Sequence, residues 1–74
     1  MYLNTGNHFI TKISDFGRLI VLEDGSRWDV SSIDKATSMM WLITDNVLVE
    51  SAYDNRCKIT NIKRKESVEA SHLA

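Results

Sequence analysis

The sequence predicts an all-β fold, a small barrel of five or six short strands with one helical turn before the fourth. Three features carry that expectation. Short aliphatic and β-branched runs recur along the chain, punctuated by turn signals such as Asp15-Phe16-Gly17 and Asp24-Gly25. Several runs alternate apolar with polar residues, the period of a half-buried strand. Only residues 31–37 carry helix-start chemistry, and they suffice for a single turn. With 74 residues the chain is one domain, near the lower size at which a single core is adequate.

Taken in order, residues 1–7 are expected to be a flexible lead-in, 8–70 the barrel and 71–74 a frayed end. Residues 9–14 read as the first strand, joined through Asp15-Phe16-Gly17 to a second at 18–23. Asp24-Gly25 between hydrophobic runs is a strong hairpin signal, because a type I′ turn needs positive φ at both central residues. In residues 26–30, Trp28 and Val30 share one face and Arg27 and Asp29 the other, where Asp29 is expected to pair with Arg27. These turns give a three-stranded antiparallel meander. Ser31 or Ser32 can then cap a helical turn with Asp34 in its first residues.

The run Met39-Met40-Trp41-Leu42-Ile43 is too apolar to lie wholly on a surface. It reads either as a buried strand entry or as a contact with a second copy of the chain. After the turn-like Thr44-Asp45, residues 46–51 form the fourth strand, with Val47 and Val49 on one face. A polar loop spans 53–56, a fifth strand spans 57–61, and residues 66–70 close the fold. Closure removes the exposed edges that a flat sheet of this size would leave. An SH3-like barrel fits best. An OB-like barrel comes second, because its helix between strands three and four is longer than this segment allows.

The stretch Leu22-Glu23-Asp24-Gly25-Ser26-Arg27-Trp28-Asp29-Val30, followed by Trp41-Leu42-Ile43-Thr44-Asp45-Asn46-Val47, resembles a loose group of small bacterial SH3-like barrel proteins of unknown function. Their pattern is L-x-D-G-S-x-W-x-V, then W-x-x-G-D-x-V, then a late Asn. Asn61 corresponds to that Asn and Val68-Glu69-Ala70 to the group's terminal strand, so the resemblance spans residues 13–70. It implies the fold and brings no catalytic residues with it. Members of the group are often exported. Thr44 stands where the group has Gly, at a position where positive φ would favour glycine.

A formal net charge of −1 excludes a globally basic nucleic-acid binder and a globally acidic mimic. No apolar run approaches the 18 residues that a membrane-spanning helix needs. Cys57 is the single cysteine, which rules out an intramolecular disulfide, and it shares a strand face with Ile59 as a small buried hydrophobe. Residues 1–7 lack the basic and apolar segments of a signal peptide. Read from Met1, the chain is expected in the cytoplasm; a periplasmic or secreted location follows if Met1 replaces a removed signal peptide. His8, Cys57 and His72 match no zinc-ligand spacing. No metal, cofactor or catalytic residue is expected.

Binding residues are sought among exposed aromatics and clustered bases. Phe16 and Tyr53 fall at loop tips. Trp41 serves either as core or as a half-exposed aromatic platform, whereas Trp28 belongs with Val30 in the core. Five of the nine basic residues fall in positions 56–65, which contain no acid. Of these, Lys58, Lys63, Arg64 and Lys65 are the candidates to meet phosphates or an acidic protein face. The function expected is a non-enzymatic protein-interaction module or self-associating accessory protein. The alternative is a nucleic-acid-binding barrel using its basic C-terminal hairpin.

Overall fold

Period-two alternation sets the inward face of every strand. In β1 (Gly6–Ser14) it is His8 and Ile10, in β2 (Leu19–Leu22) Ile20 and Leu22, and in β3 (Arg27–Val30) Trp28 and Val30. After the short helix α1 (Lys35–Ser38), the pattern resumes with Val47 and Val49 of β4 (Asn46–Ser51). It continues through Cys57, Ile59 and Asn61 of β5 (Arg56–Asn61) and Val68 and Ala70 of β6 (Glu66–Leu73). The computed structural model, which describes residues 4–52 and 56–73, closes these strands into one antiparallel barrel in the order β1-β2-β3-β6-β5-β4. This is the small all-β barrel, with a helical turn before the fourth strand, that the sequence predicts. Ile10, Ile20, Trp28, Val47 and Ile59 are fully sealed from solvent at its centre. Each aliphatic side chain buried there contributes about 1.5–3 kcal/mol.

The barrel is two three-stranded meanders, β1-β2-β3 and β4-β5-β6, closed along two seams. At one seam Gly6 to Phe9 pair with Val49 back to Asn46; at the other, Arg27 to Val30 pair with Leu73 back to Ala70. Strand β1 serves both β4 and β2. Its register slips between Ile10 and Lys12, and the resulting bulge bends the strand from one partner to the other. Thr11 Oγ1 at the bulge donates to the Val21 carbonyl at 3.1 Å.

Two expectations need correction. The final strand does not fray after Ala70: residues 71–73 pair with β3, and the His72 ring lies 5.1 Å from that of Trp28, helping to cover it. The turn types are also exchanged. At Asp24-Gly25 only Gly25 takes positive φ (84°), and its N–H bonds to the Leu22 carbonyl, the pattern of a type I turn with a G1 bulge. Asp24 Oδ1 fixes that loop by accepting the Ser26 N–H at 2.9 Å and hydroxyl at 2.6 Å. The type I′ turn falls instead on Asp15 and Phe16, with φ of 55° and 56°.

Residues 31–45 cross one end of the barrel from β3 to β4. Asp34, not a serine, occupies the N-cap position of α1, and its carboxylate accepts the Glu69 N–H at 3.0 Å instead of capping the helix. Ser38 is buried and donates its hydroxyl to the Gly17 carbonyl at 2.6 Å. Only glycine fits there, because a Cβ on Gly17 would lie 2.5 Å from both the Lys35 carbonyl oxygen and the Met39 nitrogen.

Candidate functional site

The end of the barrel spanned by the crossover is organised by the residues that carry the sequence motif. Asp45 N–H donates to the Leu42 carbonyl at 3.1 Å, and Thr44, third in that turn, has φ of 76°. This is a type II turn with threonine in the glycine seat. Asp45 Oδ2 accepts the Leu42 N–H at 3.0 Å and the Asn61 amide at 2.8 Å. The fully buried Asn61 also accepts the Arg64 N–H at 3.1 Å, so one side chain joins the crossover to the β5–β6 turn. The Leu42 N–H holds the Asp45 carboxyl below the usual range. Burial opposes that shift, while the Asn61 amide and the Lys63 and Arg64 charges support it.

Around this frame the chain leaves large apolar side chains in solvent. Phe16, Ile33, Met39, Met40, Leu42, Ile43 and Ile62 are all exposed and all lie on the crossover or on the two turns that flank it. Gly17 is packed against Met39, which sets Phe16 beside the end of α1. Asn61 brings Ile62 and Lys63 alongside Leu42 and Asp45. In the closed strand order, the β1–β2 turn and the β5–β6 turn stand on opposite sides of the barrel mouth. An apolar band therefore crosses the mouth between Asp15-Phe16 on one flank and Lys63-Arg64-Lys65 on the other.

The candidate residues divide between this surface and elsewhere. Phe16 is 79% exposed at its hairpin tip. Trp41 is buried and offers no platform: its indole N–H reaches Glu66 Oε1 at 3.0 Å, which draws the ring inward. Its neighbours in the run 39–43 are exposed, contrary to the expectation that so apolar a segment would be largely buried. Tyr53 lies outside the described residues. Lys58 is exposed on β5 opposite Glu50 and Glu69, away from the mouth. Arg64 pairs with Glu66 at 3.2 Å, whereas Lys63 and Lys65 have no ion-pair partner among the described residues. Neither a family model, nor a curated protein, nor a solved structure matches this chain.

Two other groupings stand apart from the mouth. His8 is buried with Nδ1 at 2.7 Å from Glu23 Oε1 and Nε2 at 2.6 Å from the Asn4 carbonyl. Both partners only accept, so both ring nitrogens donate and the ring is an imidazolium. Burial works against that charge, but the bonds to Asn4 and Glu23 and the nearby Asp24 raise the pKa above its ordinary value. One His8 ring nitrogen and the Glu23 and Asp24 carboxylates lie within 4.8 Å of one another. These oxygens also accept the Phe9 and Ser26 N–H groups and the Asn4 amide, which knots the N-terminal segment to the β2–β3 loop. Cys57 and His72, considered with His8 from the sequence, are not part of this group. Separately, a polar cleft of about 200 Å³ is lined by Arg18, Asp29, Arg56, Glu69 and three serines. Arg18 pairs there with Asp29, taking the place expected for Arg27, and Arg56 pairs with Glu69, so the cleft balances its own charges.

Proposed function

We propose that this chain is a non-enzymatic interaction module, an SH3-like barrel that docks a protein partner on the mouth crossed by residues 31–45. The observation that carries the reading is the gathering of seven exposed large apolar side chains at that one end. Contiguous apolar surface beyond a few hundred Å² marks interaction sites on soluble domains. Phe16 adds weight: a bulky residue on left-handed backbone, with its ring in solvent, costs stability without filling any core.

The nucleic-acid alternative has less support. A phosphate track over Lys58, Lys63, Arg64 and Lys65 would also meet Glu50, Glu66 and Glu69. Capture with tagged protein from its source cells, with and without nuclease, tests the choice when Leu42→Glu is run in parallel. Protein capture that survives nuclease and is lost with Leu42→Glu is expected. Capture abolished by nuclease moves the function to nucleic acid, and capture identical for wild type and variant refutes the docking surface.

A further inference from the structure

We propose that the occupant of the mouth is a second copy of this chain, in a twofold-symmetric dimer; this rests on the interaction reading above and names its partner. Two observations select a second copy.

The first is area. The seven side chains around the mouth together expose about 800 Å², one partner's share of a standard protein interface. That exceeds the roughly 300–600 Å² patch of a typical monomer. A second copy covers it with an equal apolar area of its own. For so small a core, pairing is also a source of stability.

The second is the placement of charge. Asp15 stands on one flank of the apolar band, and Lys63 and Lys65 on the opposite flank. A twofold axis through the middle of the band, near Met40 and Leu42, carries the acidic flank of one copy onto the basic flank of the other. It does so twice, once in each direction. The patch is thus complementary to itself, which is the condition for an isologous interface that closes at two subunits. Met39 and Met40 at its centre are flexible enough to fill gaps between the copies.

Sedimentation equilibrium over about 10 μM to 1 mM protein, a range spanning weak to moderate affinities, tests the proposal. The mass is expected to rise from that of one chain to twice that value and stop there. Leu42→Glu should leave a monomer across the whole range. Leu42 is exposed, so tryptophan fluorescence and the melting curve should confirm that the variant remains folded. Asp15→Lys and Lys63→Glu should each weaken association about tenfold or more by setting like charges opposite one another. Mixing these two variants restores opposite charges at both flanks, and the mixture should dimerise more tightly than either alone.

A wild-type monomer at every concentration overturns the proposal, and so does a dimer indifferent to Leu42→Glu. A mixture that fails to recover overturns the twofold arrangement. If the protein is monomeric yet its capture of other proteins still depends on Leu42, only the identity of the partner is refuted. If capture is also indifferent to Leu42, the docking surface itself is refuted.

Discussion

Thr44 is a residue the fold holds against its preference, and replacing it with glycine should stabilise the protein. Its φ of 76° lies in the left-handed region, where a β-branched side chain is crowded against the backbone. The turn leaves no escape, because Asp45 N–H is bonded to the Leu42 carbonyl and Thr44 N–H to the Ile10 carbonyl at 2.7 Å. The left-handed conformation costs a non-glycine residue about 1–2 kcal/mol. Glycine removes that cost but loses about 0.4–1 kcal/mol through its greater freedom in the unfolded chain. Thr44 is exposed, and its side chain makes no hydrogen bond among the described residues, so little else is forfeited. The expected net gain for Thr44→Gly is about 1 kcal/mol, which for a domain of this size raises the melting temperature by about 4–8 °C. Thr44→Ala is the control, since it removes the branch and keeps the Cβ, and it should change stability by much less. Thermal and urea melts of the three proteins decide the matter. A Thr44→Gly protein no more stable than Thr44→Ala would refute the argument that backbone strain resides at this position.

Gly17→Ala should cost about 2–4 kcal/mol by combining overpacking against α1 with left-handed backbone, a large part of the total for 74 residues, and a urea midpoint measures it. Asn61→Ala removes the amide that bonds the Asp45 carboxylate and the acceptor for Arg64 N–H. Its cost should be about 2–3 kcal/mol, and the Trp41 fluorescence environment should change with it. His8 is protonated more readily in the folded state than its ordinary 6.5. Its contribution is therefore complete below about pH 6.5 and is lost as pH rises through the folded value. Melting temperature should fall over that rise in wild type and less so in His8→Gln; equal slopes would refute the clasp. Asp45 behaves in the opposite sense: its contribution is present above its ordinary pKa and disappears as pH falls through the lowered one. Asn61→Ala should reduce the acid-side loss seen in urea melts.

Strand faces were legible because alternation is a local property. Trp28 with Val30, Val47 with Val49 and Cys57 with Ile59 all lie inward as their spacing implies. Turn type was less legible. Asp15-Phe16-Gly17 and Asp24-Gly25 both offer a glycine, but which residues take positive φ depends on how the flanking strands pair. In the run 39–43 no period distinguishes Trp41 from its neighbours. The ring turns inward because Glu66, 25 residues later, accepts its N–H. Asn61 could be singled out through the resemblance, yet its partner Asp45 becomes apparent only when β4 and β5 are side by side. Ile62 was missed as a surface residue, although it follows Cys57, Ile59 and Asn61 out of phase. Assembly of the mouth surface from the crossover and two opposite turns is a property of strand order, which local pattern does not contain.

The pair of seams makes the molecule divisible. Separated within residues 31–34, the chain would yield two pieces, each holding its own pair of hairpins and each ending in two open strand edges. The edges of the first piece, β1 and β3, are those that match β4 and β6 of the second, in fixed order and register. Each hairpin forms between near neighbours, whereas both seams join strands more than thirty residues apart, so local zippering precedes a slower mutual docking. The barrel is in effect a complex of two fragments that share one tether.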